Sequence, residues 1–169
     1  RANRILSFCN IIYSLIYNFL FSIFQPNQIL LILTHLLLSL SIIVTSMDTT
    51  KLCAGCFSLL SLLYPIIWPC VFISTIPSNL LEAVNSPFPF IIGVPFKFFT
   101  REDMKYVDVD ALINLDCGNL VLSSKLEYTS KVNALISKMS DLLSNELEIC
   151  KRCKGFPAYR IQLILWQFI

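Results

Sequence analysis

The sequence predicts an α/β fold in which helices cover a mainly parallel sheet and an α-helical C-terminal segment follows. Strand-like and helix-like segments alternate from residue 41 onwards, and the strand-like segments are apolar runs, as expected when helices cover both faces of a sheet. Five prolines between residues 59 and 94 mark where elements begin or end, because proline fixes φ and lacks a backbone donor. With 169 residues, 56% of them hydrophobic, the chain is long enough for one domain with a hydrophobic core.

The N-terminal part of the chain is the least polar, with no Asp, Glu, Lys or Arg between Ile5 and Met47. The sequence of residues 1–24 predicts an apolar helix. Two interpretations stay open for the whole uncharged stretch between Ile5 and Met47. One is a membrane protein with a hairpin at 5–45, since roughly 20 apolar residues can span a bilayer. The other is a helix at 29–38 that covers a sheet, followed by a short strand.

The middle of the chain continues the alternation of helices and strands. Asp48 is placed to cap a helix that ends before Pro65, because an aspartate side chain can accept hydrogen bonds from the first free backbone N–H groups of a helix. Hydrophobic runs and turn residues then predict four further elements. They are a strand at 71–76, a helix at 78–85, a strand at 90–94, and a strand at 107–115 with a turn at 117–119.

The last part of the chain predicts helices only. Apolar residues at helical spacing indicate an amphipathic helix over 128–150, which Gly155 and Pro157 terminate. A second apolar helical pattern covers 159–169. Residues 123–169 therefore form a separate helical segment in the predicted organisation.

The sequence offers little catalytic chemistry. Its four glycines are too dispersed for a P-loop or a dinucleotide fingerprint, and the only histidine, His35, lies in an apolar helix where a structural role is expected. Asp108, Asp110 and Asp116 surround a strand and could hold Mg²⁺ or exchange protons, although solvated residues at a strand edge fit the same pattern. The net charge is +2 and the basic residues are scattered, which argues against nucleic-acid binding.

The cysteines fit two interpretations. Cys53 and Cys56 form one C-x-x-C pair and Cys150 and Cys153 another, a spacing that suits tetrahedral zinc. The first pair, however, lies on the apolar face of a predicted helix and turn glycines are missing, so buried reduced thiols are the expected state. Because the total of seven is odd, a disulfide framework is not expected. The remaining three are Cys9, Cys70 and Cys117.

A series of motifs occupies the middle of the chain: Leu62-Leu63-Tyr64-Pro65, Trp68, Ile76-Pro77, Leu80-Leu81 and the run from Pro87 to Val94. Together they resemble the central part of a DENN domain. The resemblance extends over roughly residues 20–122, and we expect the chain to be a fragment of an incomplete DENN module. In this organisation 1–24 is the apolar N-terminal helix, 25–122 the central DENN α/β region, and 123–169 the start of the C-terminal DENN part. The motif residues that we expect to be structural are Tyr64, Pro65, Trp68, Pro77, Pro87, Pro89, Phe90 and Gly93.

The resemblance implies guanine-nucleotide exchange on a Rab-family small GTPase in membrane trafficking. Such a factor stabilises the nucleotide-free GTPase by binding and performs no bond chemistry, so neither a catalytic residue, a cofactor nor a metal is expected. It also implies a cytoplasmic protein that is peripheral to vesicle or endosomal membranes and is completed by the missing DENN lobes. A degenerate DENN scaffold without exchange activity, and the membrane hairpin, remain alternatives.

Polar residues at strand ends are the predicted contacts with the GTPase. Binding groups concentrate in loops above a rigid sheet, and this favours Ser46, Asp48 and Asp116.

Overall fold

The structure is a computed structural model that describes residues 15–98, 108–123, 128–152 and 158–169. The chain divides into two compact units. Ile32–Glu127 forms the sheet unit, whereas Arg1–Leu31 and Tyr128–Ile169 form the helical unit. Predictions for residues 1–14, for the beginning of the strand at 107, and for Cys153 and the side chain of Cys150 lie outside the described residues.

The described residues of the sheet unit form five strands, of which four run parallel, so the predicted α/β class with a mainly parallel sheet is confirmed. The central strands are buried along their whole length, which explains why they read as uninterrupted apolar runs. The last strand returns antiparallel to its neighbour through a tight turn that includes Gly118 at φ 64°. In chain order they are β1 Ile42–Ser46, β2 Val71–Ile73, β3 Phe90–Pro95, β4 Ala111–Asn114 and β5 Asn119–Leu122, and their order in the sheet is β2-β3-β1-β4-β5.

One face of the sheet is covered by helix α3, Thr49–Leu62, which contacts β1 and β3. At Gly93 the backbone of β3 passes so close to the Ser74 carbonyl oxygen that an added Cβ would collide with it, and the Cys56 thiol of α3 lies next to the same position. Gly93 therefore permits the close backbone approach expected of it.

The opposite face carries a separate apolar cluster, because successive residues of a strand point to opposite faces. Ile92 and Val94 of β3 belong to it, together with Ile43 of β1. The short segment Ser78–Asn85 covers this cluster through Val84. It forms a 3₁₀ helix between Pro77 and Pro87, whose fixed φ and missing N–H limit where the helix can begin and end.

Three strands differ from the prediction: β2, β4 and β5. β4 covers only Ala111–Asn114, so residues 108–110 and Leu115 of the strand expected at 107–115 lie outside it. The strand expected at 71–76 ends at Ile73, because the chain then leaves the regular ladder and Ile76 N–H donates to the Gly93 carbonyl at 2.8 Å. β5 was not expected as a strand. Its residues alternate between exposed and half-buried, a pattern too short to distinguish from a loop.

The helical unit contains α1, Leu15–Ile23, and the beginning of α2, Pro26–Leu37, which continues into the sheet unit. Its other two helices are α4, Ser130–Arg152, and α5, Ala158–Phe168, so the predicted C-terminal helical segment is confirmed. These two helices pack against each other, and an ion pair joins Arg160 Nη2 to Glu146 Oε1 at 2.9 Å. Their buried apolar residues are Ile136, Met139, Leu143, Ile161 and Leu165.

The length and hydropathy of a helix determine whether it could span a membrane. No single helix among them combines the length and apolar character needed to cross a bilayer. Taken together, Leu15–Ile23 and Pro26–Leu37 reach that length and composition, but a 112° bend separates the two helices.

Candidate partner-binding site

Three parallel strands end at one edge of the sheet, which we call the carboxyl edge. Ser46 at the end of β1 is in register with Pro95 at the end of β3, and Thr45 is in register with Asn114 at the end of β4. The residues that follow these strand ends therefore share one edge. In open α/β sheets this is where ligands and partners bind.

The Asp116 carboxylate fastens the loop after β4 to the loop after β1. Ser46 Oγ donates to Asp116 Oδ1 at 2.8 Å, and the Met47 backbone N–H donates to Oδ2 at 2.6 Å. Lys51 Nζ lies 3.4 Å from Oδ1. Because both Lys51 and Asp116 are partly exposed, we assign this ion pair only about 0–1 kcal/mol and the hydrogen bonds the larger share.

Asp48 continues the network as the cap of α3. Its side chain accepts a hydrogen bond from the Thr50 N–H at 2.8 Å, which confirms the predicted capping role. Its own N–H donates to Ser46 Oγ at 3.2 Å. The structure thus brings together all three residues predicted from the sequence, and it occupies their polar atoms largely with one another.

The pKa of Asp116 lies below the ordinary carboxyl range. Desolvation acts in the opposite direction and raises it. The hydrogen bonds from the Met47 N–H and the Ser46 hydroxyl outweigh this, and Lys51 adds a favourable charge. Asp116 is therefore ionised at neutral pH and holds the loop in place as a carboxylate rather than exchanging protons.

The carboxyl edge also presents residues that the sequence reasoning missed. Met47 follows β1 with 71% of its surface exposed, and Phe96 follows β3 with 43% exposed. Lys97 comes next and lies over the Phe98 ring, 5.1 Å from its centroid. A long apolar side chain immediately after a buried strand, between polar neighbours, was the signal available in the sequence.

The motif residues differ in burial and in position along the sheet unit. Phe90 is buried in the apolar cluster that Ser78–Asn85 covers, and Pro77 immediately precedes that segment. Pro87 and Pro89 precede β3. Tyr64 and Pro65 are exposed after α3. The Trp68 ring is only half-buried and donates from Nε1 to the Val71 carbonyl at 3.2 Å, so it fastens a loop rather than anchoring the core.

The other candidate chemical groups are dispersed. His35 is buried in α2. Asp110 Oδ2 accepts from the Ser41 N–H at 2.9 Å before β4, whereas Asp116 follows β4 at the other edge of the sheet. Asp110 and Asp116 therefore do not form one carboxylate site.

The cysteine pair on α3 consists of two free thiols, of which Cys56 is buried and Cys53 half-buried. Burial raises the pKa of the Cys56 thiol to about 12, and Cys53 Sγ shares a hydrogen bond with the Thr75 hydroxyl at 2.9 Å. Within the described ranges, no group of three or more His, Cys, Asp or Glu side chains is arranged to hold a metal ion.

Comparison with known proteins identifies the family. The DENN (AEX-3) domain profile matches residues 11–119. The chain is 28% identical over 121 residues to "Elicitor of plant defense protein 1" of Verticillium dahliae, covering 69% of this chain and 10% of that protein. It is 29% identical over 118 residues to "DENN domain-containing protein 1B" of Mus musculus, covering 70% of this chain and 14% of that protein. With "DENN domain-containing protein 2B" of Mus musculus the identity is 23% over 130 residues, covering 77% and 12%.

The chain spans only about a tenth to a seventh of the length of these relatives. The family match nevertheless covers well over half of the chain and includes β1, β3, β4 and the loops of the carboxyl edge. It also includes every motif residue from Tyr64 to Gly93. On this match, the chain belongs to the DENN domain family.

Proposed function

We propose that this chain is part of a guanine-nucleotide exchange factor that promotes GDP release from a Rab-family small GTPase. In this proposal the GTPase binds at the carboxyl edge. The protein is cytoplasmic and peripheral to vesicle or endosomal membranes. Further DENN lobes on the full-length polypeptide would complete the binding surface. No covalent chemistry by the chain is required.

The observation that carries the proposal is family membership, combined with the construction of the carboxyl edge. Hydrogen bonds among Ser46, Asp48 and Asp116 hold the loops after β1 and β4 in one arrangement while leaving neighbouring side chains exposed. A preorganised surface loses little entropy when it binds. Such a surface suits a protein whose activity depends on binding one state of its partner better than another.

The driving force for exchange follows from linkage. By linkage, a factor shifts the binding equilibrium towards loss of GDP only to the extent that it binds the empty GTPase more tightly than the loaded one. A family member that binds both states equally would act as a scaffold. The proposal therefore requires both association and a preference for the nucleotide-free state.

The test is a GDP-release assay with the full-length polypeptide that contains these residues. A panel of Rab proteins is loaded with a fluorescent GDP analogue, and release is followed after addition of excess unlabelled nucleotide. We expect accelerated release from at least one Rab. Chelation of Mg²⁺ with EDTA serves as the loading control, and no acceleration for any correctly loaded Rab would contradict the proposal.

A further inference from the structure

We propose that Met47 and Phe96 form the apolar centre of the GTPase contact, and that Ser46 and Asp116 act by positioning Met47. This inference rests on the proposed function and deepens it. The polar residues that were predicted from the sequence as contacts then have a supporting role, and the apolar residues Met47 and Phe96 touch the GTPase.

The register of β1 and β3 determines where Met47 and Phe96 lie. Ser46 and Pro95 are paired across β1 and β3, and Met47 and Phe96 are the next residue of each strand. They therefore leave the sheet side by side at its carboxyl edge. Both side chains belong to the exposed large hydrophobic residues of the chain.

The backbone at Met47 is held on both sides. Its own N–H donates to Asp116 Oδ2 at 2.6 Å, while the preceding Ser46 hydroxyl donates to Oδ1 and the following Asp48 N–H donates to Ser46 Oγ. Three hydrogen bonds thus fix three consecutive residues, yet the middle side chain is 71% exposed. An apolar side chain on a fixed backbone gains from burial by a partner without a large cost in backbone ordering.

The charges around this apolar pair favour a protein partner. Asp48 and Asp116 contribute carboxylates on one side, where Lys51 pairs with Asp116, and Lys97 contributes an ammonium group on the other. The two carboxylates and two ammonium groups of these described residues balance, so they provide no excess positive charge for the phosphates of nucleic acids or of anionic lipids. A GTPase surface with an apolar patch, a basic residue opposite Asp48 and an acidic residue opposite Lys97 complements this arrangement.

Exposed apolar residues at the other edge of the sheet provide matched controls. Leu38 precedes β1 with 53% of its surface exposed, and Phe88 precedes β3 with 68% exposed. Each control flanks the same strand as its test residue, at the opposite end. A general effect of replacing a surface hydrophobic residue would appear at both edges, whereas loss of the proposed contact would appear at one.

The experiment measures the affinity of the full-length polypeptide for nucleotide-free and GDP-bound Rab, using the four variants Met47→Ser, Phe96→Ser, Leu38→Ser and Phe88→Ser. Circular dichroism and denaturation midpoints establish that each variant is folded. We expect Met47→Ser and Phe96→Ser to weaken binding of the nucleotide-free Rab by about tenfold or more, as for central residues of protein interfaces. The two control variants should stay within about twofold of the original protein.

The outcomes separate the two proposals. If the unmodified polypeptide binds a Rab and releases its GDP, but the Met47 and Phe96 variants behave like it, the assigned contact is wrong and the proposed function stands. Equal weakening by all four variants likewise overturns the assignment to the carboxyl edge. If the unmodified polypeptide binds no Rab in any nucleotide state, the proposed function fails and this contact fails with it.

Discussion

Replacing Gly93 by Ala tests the packing of β3 against the chain beside it. The added Cβ would collide with the Ser74 carbonyl oxygen, which is backbone and cannot rotate away. The collision would force the two segments apart and weaken the 2.8 Å hydrogen bond from the Ile76 N–H to the Gly93 carbonyl. Overpacking costs about 1–3 kcal/mol and loss of one hydrogen bond about 1 kcal/mol, so we expect roughly 2–4 kcal/mol of destabilisation.

Gly55→Ala is the matched control for this prediction. Gly55 is also buried, but its added Cβ would meet the Leu115 side chain, at both methyl groups and Cγ, rather than backbone. Leu115 is itself buried, so we expect an overpacking cost of about 1–3 kcal/mol, of which the better helix propensity of alanine offsets about 1 kcal/mol. We therefore expect a net loss of about 0–2 kcal/mol, smaller than that at Gly93.

The assay is guanidinium chloride unfolding of the full-length polypeptide, followed by far-ultraviolet circular dichroism. The midpoint for Gly93→Ala should fall well below the midpoints of the original protein and of Gly55→Ala. A loss of stability at Gly93 no greater than that at Gly55 would refute the close backbone contact.

Three further predictions concern individual side chains. Because the pKa of Asp116 is depressed on folding, its stabilising contribution is present above about pH 4 and is lost as the pH falls through the folded pKa. The stability difference between the original protein and Asp116→Asn should therefore shrink on acidification, and parallel pH profiles in unfolding experiments would contradict the network. Thr45 is 2% exposed, and its hydroxyl has no hydrogen-bond partner among the residues that the structure describes. Thr45→Val should leave stability unchanged or raise it by up to about 1–2 kcal/mol, and a substantial loss would reveal a missing partner. Cys56, buried and with a pKa of about 12, should resist alkylation at pH 8 in the folded protein while exposed Cys117 reacts; mass spectrometry that finds Cys56 labelled first would contradict its burial.

Sequence patterns predicted the elements whose ends carry local signals. Asp48 caps α3 by hydrogen-bonding to a residue two positions away, and Pro77 precedes the short 3₁₀ helix, so neighbouring residues determine both starting points. The parallel arrangement of β1, β3 and β4 then placed Ser46 and Asp116 at the same edge, as the predicted fold class required.

The pairing of individual atoms was beyond local sequence reasoning. Asp116 bonds to Ser46 and Met47 across separations of 70 and 69 residues, and hydropathy carries no information about such partners. The sequence also did not predict the proposed contact role of Met47, because the exposure of its side chain depends on the distant loop that holds its backbone. β5 was missed because its four residues, three of them apolar, are too few to show the alternating pattern of a strand.

Exchange activity depends on a difference between two affinities. The direct measurement titrates the full-length polypeptide against one Rab protein prepared both nucleotide-free and GDP-bound, under identical salt and Mg²⁺ conditions. We expect markedly tighter binding of the nucleotide-free form, with the difference reduced by Met47→Ser and Phe96→Ser. Equal affinities for the two forms would contradict exchange and leave only a scaffold.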